Sequence, residues 1–224
     1  MAYAALTHVT AFGKDGVTSS SIDTTGADFL VMVVGAYKSF PPTVSDSKSN
    51  TWSALTLRDS GDSARILIYY VANPTVGTGH TFTLTGSSSY GSMCVHAFSG
   101  AKLTSPFDVE NGVTGGVDTS RAPGSITPSE NNELLITGGT QDAIVSNLAI
   151  GSSYTLADNV YTGSGTNFAS SLAYLIQTTA GASNPTWSWT TSSHNAEVIA
   201  SFKVAAATFP GGDDDGIWYI PYAA

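Results

Sequence analysis

Residues 64–98 read ARILIYYVANPTVGTGHTFTLTGSSSYGSMCVHAF, and this stretch decides the fold. An apolar run from Ile66 to Val71 precedes a turn rich in Gly and Pro. Residues 81–85 then alternate between Thr and apolar side chains, and the run from Met93 to Phe98 is mostly apolar again. Short apolar runs are typical of central strands, whereas alternation is typical of a strand with one wet face. The stretch therefore predicts three strands of a sheet.

A diverged copy of this pattern returns about 105 residues later. The matched pairs are Tyr69 with Tyr174, Phe82 with Trp187, Leu84 with Trp189 and, one residue tighter, Phe98 with Phe202. Upstream, DFLVMVVGAY at residues 28–37 resembles ELLITGGTQD at residues 133–142. One copy alone would leave an apolar face in water, so we expect the two copies to pack together around one core.

The remaining chain predicts further short strands, separated by Gly, Pro and Ser turns, and no amphipathic helix. Residues 105–116 are interpreted as a link of weak strands and Gly turns, and residues 123–128 as a short edge strand. The prediction is an all-β protein, an antiparallel β-sandwich or jelly roll of two related halves. These halves cover about residues 20–104 and 123–204 within a domain of residues 1–204, and residues 205–224 form a C-terminal arm.

The composition bears on the kind of partner that the chain can bind. Lys and Arg number 8 against 17 Asp and Glu among 224 residues, a net charge of −9, which disfavours nucleic acid. Charged residues make up 11%, against about a quarter in an average globular protein. We associate such weakly charged β proteins with adhesins, sugar-binding modules and virions.

The N-terminus lacks a signal-peptide pattern and no apolar run could span a membrane, so we expect the chain to stay in the cytoplasm or leave it by assembly or lysis.

The sequence offers no familiar catalytic motif: it has no P-loop, HExxH, CxxC or GxSxG. The single cysteine, Cys94, lies in an apolar run and is expected to be a small buried hydrophobic residue. The alternative is a nucleophile with His96, two residues further on, as its base. Glycoside hydrolysis would need paired carboxylates, and the candidates Glu133 and Glu197 are isolated in sequence. We therefore predict a non-enzymatic protein without a cofactor.

Four histidines, His8, His80, His96 and His194, are far apart in sequence. They are expected to be strand or turn residues and not metal ligands. The single acidic cluster, Asp213, Asp214 and Asp215, has oxygen ligands that suit Ca²⁺, but it lacks the spacing of an EF-hand. Its alternative is a solvated turn in the arm.

Aromatic residues supply the candidate binding sites. The arm carries apolar and aromatic side chains that would be costly to leave in water. They are expected either to dock on another chain or to fold back: Phe209, Ile217, Trp218, Tyr219, Ile220 and Tyr222. Near loop ends, Tyr37, Trp52, Tyr90 and Tyr154 could stack on sugar rings or pack within the fold.

The stretches TVSDSKSNTWSAL, YYVAN, HTFTLT and VHAFSG resemble a β-sandwich family encoded by tailed phages and prophages. Asp46, Asn50 and Trp52 match its "D(S/T)xxNTW" hairpin, and residues 69–73 match its "YYxAN" strand. Residues 95–100 match its last motif, with His96-Ala97-Phe98 in place of the usual Glu-Tyr pair. The resemblance covers about residues 20–204.

The resemblance implies a virion structural protein, such as a capsid decoration, head-fibre or tail-fibre component. It implies assembly in the host cytoplasm, other virion proteins as partners, and a homo-oligomer. The alternative is a module that binds cell-surface glycans. No catalytic residue carries over, because the motifs of the family mark strands and turns.

Overall fold

The structure is a computed structural model, and it describes residues 2–14, 16–37, 43–61, 63–85, 90–145, 148–151, 153–162 and 168–206. The first half contains strands β1 (Ala4–Lys14), β2 (Val17–Thr18), β3 (Phe29–Tyr37), β4 (Thr43–Asp46), β5 (Ser53–Ala54), β6 (Arg58–Asp59), β7 (Ala64–Ala72), β8 (Phe82–Thr85) and β9 (Tyr90–Ser99). The second half contains β10 (Phe107–Arg121), β11 (Glu133–Gln141), β12 (Ala149–Ile150), β13 (Thr155–Thr162), β14 (Phe168–Gln177) and β15 (Trp187–Phe202). Within these ranges there is no helix, and hence none that could cross a membrane.

Two large antiparallel sheets share one strand order, which confirms the predicted all-β class. The first sheet runs β1-β9-β3-β7-β5, with β6 also paired to β7. The second runs β10-β15-β11-β14-β13, with β12 also paired to β15. The first four strands of each path therefore correspond in order, and the sequence repeat is visible as a repeat of topology.

The pairing of residues in the two ladders shows that one of the predicted repeat matches is wrong by one residue. Val31 pairs with Tyr70 in the first sheet, and its equivalent Ile136 pairs with Tyr174 in the second. The match of Tyr174 is therefore Tyr70 and not Tyr69. Because side chains alternate between faces, one residue changes the side of the sheet. Tyr70 and Tyr174 both pack on the core between the sheets, whereas Tyr69 points to the opposite face.

The two sheets pack face to face around a shared core, as the repeat predicts. Phe29, Phe98 and Phe202 are fully buried there, and the rings of Phe29 and Phe202 lie 4.8 Å apart. Leu172 of β14 and Val33 of β3 extend the same cluster. Full burial of one such side chain stabilises the fold by roughly 1.5–3 kcal/mol, so this interface holds the halves together.

Each half also has an outer layer that the sequence analysis did not predict. The small sheet β2-β8-β4 covers the outer face of the first sheet through Phe82 and Leu84. In the second half, the beginning of β15 with β12 and the end of β10 takes the equivalent place through Trp187 and Trp189. The central strands β3 and β11 are buried on both faces, which one interface cannot achieve. Each half is thus a sandwich, and the sandwiches meet through their larger sheets.

The interpretation of residues 105–116 as a link was wrong. They belong mostly to β10, a strand of 15 residues at the edge of the second sheet. Its residues are half-buried or exposed, so the strand can consist largely of polar residues and glycines. Such a composition gives a weak strand signal in the sequence. β1 lies entirely before position 20 and β10 entirely before position 123, the positions at which the repeat halves are predicted to begin.

Candidate functional site

The edges of the two large sheets meet in a cleft of about 270 Å³. One wall is β1 with its neighbour β9, and the other is β13 with its neighbour β14. It is lined by Leu6 and Leu156, two exposed apolar side chains, and by His8, His96 and Tyr174. The cleft therefore lies between the two halves of the molecule, and residues of both line it.

The register of β1 on β9 brings two histidines together. His8 is directly opposite His96 in this antiparallel ladder, so the side chains project from the same face. Their rings stack with centroids 4.8 Å apart and planes 13° apart. His8 keeps 56% of its side chain exposed in the cleft, whereas His96 keeps 5%.

Asp158 completes the group from the opposite sheet. It lies on β13 beside an irregularity of the β13–β14 ladder, and such bulges re-aim side chains. Its Oδ1 lies 2.9 Å from His8 Nδ1, and its Oδ2 lies 2.5 Å from His96 Nε2. Only 7% of the Asp158 side chain is exposed. A buried carboxylate is thus held between two imidazoles, across the boundary between the halves.

This constellation can do two things chemically. It can act as an ion-pair contact between the sheets, with the carboxylate bridging the imidazoles. Its three ligand atoms also lie within 4.8 Å of one another, close enough to converge on one cation. Two imidazole nitrogens with a carboxylate oxygen form a donor set that suits divalent transition metals.

The other two histidines each lie beside an aspartate. His80 is fully buried, with Nδ1 2.9 Å from Thr24 Oγ1 and Nε2 3.2 Å from Asp46 Oδ1. Burial lowers the pKa of His80, and the nearby Asp46 opposes this shift in part. His194 Nδ1 lies 3.0 Å from Asp142 Oδ2. Each of these sites has one imidazole only, so the His8 and His96 pair is distinct.

The residues that carry the family resemblance bond to one another. Asp46 Oδ1 accepts hydrogen bonds from the backbone N–H groups of Lys48 and Asn50, and Oδ2 accepts one from Trp52 Nε1 at 2.7 Å. The side chain of Asn50 also accepts a bond from the N–H of Thr75 and donates one to its C=O. The motif thus ties the β4 hairpin to the turn after β7, which is a structural role.

Gly100, the last residue of the last motif, shows the same kind of constraint. Its φ of 99° lies in a region that glycine adopts readily, and an added Cβ would approach Ala2 O to 2.3 Å. The Asp28 carboxylate accepts hydrogen bonds from the N–H groups of Gly100 and Ala101. The chain can therefore turn closely over its N-terminal residues after β9.

No family model, curated protein or solved structure matches this chain. The resemblance therefore depends on the motif residues alone, and function has to be argued from the geometry.

The four aromatic residues predicted to bind sugars lie in three places. Tyr37 and Tyr90 are at adjacent ends of β3 and β9, and the Tyr90 ring stacks on Phe12 at 5.7 Å. Trp52 packs edge-to-face on Phe82 at 6.1 Å in the first outer core. Tyr154 is buried in the second outer core, its OH lies 2.8 Å from Ser183 Oγ, and burial raises its pKa to about 12. Tyr154 thus has a packing role and no open ring face, while Tyr37 and Tyr90 remain candidates.

The candidate sites in the C-terminal arm lie outside the described residues. This holds for the predicted partner-binding residues Phe209, Ile217, Trp218, Tyr219, Ile220 and Tyr222, and for the Ca²⁺ candidates Asp213, Asp214 and Asp215. These assignments stay predictions.

The residues considered for catalysis are buried in the fold. Cys94 has no exposed surface, which confirms the prediction of a buried residue, and burial raises its pKa well above the usual range, which argues against the nucleophile alternative. Glu133 and Glu197 are fully buried, and burial raises the pKa of Glu197 to about 9, against an opposing effect of Arg121. Glu197 pairs with Gly139, six residues along β11 from Glu133, or roughly 20 Å. The two carboxyls are thus too far apart for a glycosidase pair.

Proposed function

We propose that this chain is a non-enzymatic structural protein of a phage particle, which decorates the capsid or tail through protein–protein contacts. The phage assignment comes from the motif resemblance. The mode of action comes from the surface of the sandwich, and in particular from its sheet edges.

The observation that carries the proposal is the apolar character of three edge strands. Leu6 on β1, Val117 on β10, and Leu156 and Tyr161 on β13 are large hydrophobic side chains between 39% and 59% exposed. Edge strands offer backbone N–H and C=O groups to another chain, and proteins usually protect them with charge. β1 and β13 each carry one such charged residue, Lys14 and Asp158, whereas β10 carries Asp108, Glu110, Asp118 and Arg121. Such edges suit a protein that is covered by neighbours in its working state.

The direct test is the protein content of purified particles. Particles are prepared from cells in which the encoding phage or prophage is induced, and the chain is quantified by mass spectrometry against the major capsid protein. We expect a fixed copy number that survives washing in high salt. A chain that stays in the lysate and is absent from the particles would reject the proposal.

Edge variants identify the surface that docks. Val117→Lys and Leu156→Lys place a charge on an edge strand, whereas Leu103→Lys places one at a position that is 50% exposed and outside the strands. We expect the edge variants to have lower occupancy on particles and the Leu103 variant to match the wild type. Deletion of residues 209–224 tests the arm in the same assay, and unchanged occupancy would reject its predicted role.

Glycan binding is the second candidate, favoured by the adjacent positions of Tyr37 and Tyr90. A glycan array with the purified chain decides it. Specific binding that is lost in Tyr90→Ala would support this candidate, and an array without hits would count against it.

A further inference from the structure

We propose that His8, His96 and Asp158 form a binding site for one divalent transition-metal ion of the zinc type. The site lies in the cleft between β1 and β13. The proposal goes beyond the structural function, because it concerns the interior of the molecule and holds whether or not the chain belongs to a particle.

The donor set defines the class of ion. Zinc binds imidazole nitrogen at about 2.0–2.1 Å and carboxylate oxygen at about 2.0–2.2 Å. Neighbouring ligand atoms around such an ion are therefore about 3–3.5 Å apart. The two contacts of Asp158 with the imidazoles, at 2.9 and 2.5 Å, need to lengthen by less than about 1 Å to admit the ion. Ca²⁺ and Mg²⁺ prefer sets made of oxygen only, so two imidazoles disfavour them.

Burial and charge favour a cation at this position. The Asp158 carboxylate is almost completely buried, and the ion pairs that it forms with described residues are both made by imidazoles. A buried carboxylate is costly unless a positive partner or a metal compensates it. A bound dication supplies that charge, and both imidazoles can then act as neutral ligands.

The exposed His8 side chain can rotate to coordinate an ion. The His8 and His96 rings are nearly parallel, and parallel stacked rings cannot both direct a lone pair at the same point. Coordination therefore requires the His8 ring to turn out of the stack. His8 lies on the open side of the cleft and is 56% exposed, so this rotation meets little packing. The cleft also leaves the remaining coordination positions open to water.

The three ligands join the two halves of the molecule. His8 and His96 belong to the first sheet through β1 and β9, and Asp158 belongs to the second sheet through β13. An ion held by all three is a cross-link between the sandwiches. Because it binds the folded state and not the unfolded chain, it must raise the melting temperature in proportion to its affinity and concentration.

The test is a zinc titration of the untagged chain after dialysis against a chelator. Isothermal titration calorimetry is expected to give a single zinc ion per chain, and Co²⁺ is expected to give visible absorption bands at the same stoichiometry. His8→Ala should bind zinc at least roughly tenfold more weakly, since even the outer partners of metal ligands change affinity by that factor. Because the His8 side chain is exposed, we expect this variant to keep the fold, and circular dichroism checks it.

His194→Ala is the matched control, because His194 also lies beside an aspartate but has no second imidazole in that contact. We expect it to bind zinc as the wild type does. In thermal unfolding, zinc should raise the melting temperature of the wild type and of His194→Ala by several degrees, and that of His8→Ala by clearly less at the same zinc concentration. The proposal is overturned if the wild type shows no saturable stoichiometric binding, or if His8→Ala keeps the full affinity.

Discussion

The two halves share a strand order but fill their outer cores differently. The outer core of the first half consists of apolar side chains such as Leu30, Met32 and Met93, with buried His80 beside Phe82. The outer core of the second half places Thr137 and Glu197 at the positions equivalent to Met32 and Met93. The same backbone layout thus accepts an apolar filling in one half and a partly polar one in the other.

The difference shows which half of the fold loses stability by burying polar groups. Buried atoms without a hydrogen-bond partner in the second half include both carboxyl oxygens of Glu197 and side-chain atoms of Gln141, Asn195 and Ser193. The outer layer of the second half also contains a larger ring, since Trp187 occupies the position that Phe82 has in the first half. The apolar half is therefore expected to tolerate polar substitution poorly, and the polar half to gain from neutral replacements.

The largest effect is expected from giving the first half the polar residue of the second. Met93→Glu buries a carboxyl in the cluster of apolar side chains that includes Leu84 and Val34. We expect a loss of about 4–5 kcal/mol in the free energy of unfolding, measured by urea titration. Met93→Leu is the matched control and should cost less than about 1.5 kcal/mol. Equal stability of the two variants would show that the outer cores are not as different as their composition indicates.

The reverse experiment concerns the ionisation of Glu197. Its pKa rises from 4.5 to about 9 on folding, chiefly because of burial. Between these values the folded state keeps a proton that the unfolded state has lost, so stability falls as pH rises through this window. Glu197→Gln removes this dependence. From pH 5 to pH 7.5 the wild type should lose on the order of 3 kcal/mol relative to the variant, measured by denaturant unfolding at each pH.

Glu130→Gln is the control for this pH series, because Glu130 is an exposed carboxyl of the same half. Because this variant leaves Glu197 in place, it should keep the loss of stability that the wild type shows from pH 5 to pH 7.5. If Glu197→Gln also shows this loss, then Glu197 is ionised in the fold and the polar core contains a compensating charge.

A smaller effect is expected at Thr137, the counterpart of Met32. Its hydroxyl donates to Val198 O at 2.8 Å and accepts from Trp187 Nε1 at 3.1 Å. Thr137→Val leaves the indole N–H unpaired in the core, so we expect a loss of about 1–2 kcal/mol by urea titration. Thr140→Val, on the same strand, removes only a bond to the carbonyl of Ala169 and should cost less. The ranking is contradicted if Thr140→Val is the more damaging change.

Sequence patterns predicted the strands of the repeat, because apolar runs and turns are local signals, but they put β8 in one sheet with β7 and β9, whereas it belongs to the small outer sheet. Register is not local: the match of Tyr174 shifted from Tyr69 to Tyr70 only when the ladders were known. The strand β10 was missed because an edge strand needs little apolar character. The outer layers were missed although DFLVMVVGAY is apolar on both faces, which in retrospect indicated a covering layer on each side.

The cleft site was beyond the reach of the sequence. His8 and Asp158 are 150 positions apart, and His96 and Asp158 are 62 apart. Their meeting depends on the β1–β9 register, on the irregularity beside Asp158 and on how the two sheets face each other. The histidine pair follows from the sequence only if the N-terminal strand is first paired with the strand that ends at Ser99.

The most direct test of the account is the cooperativity of unfolding. Two sandwiches that share the core of Phe29, Phe98 and Phe202 cannot separate without exposing it, so they should unfold together. Differential scanning calorimetry of the whole chain is then expected to show one transition, with equal calorimetric and van't Hoff enthalpies. Two separate transitions, or a calorimetric enthalpy about twice the van't Hoff value, would contradict a shared core and describe two independent domains instead.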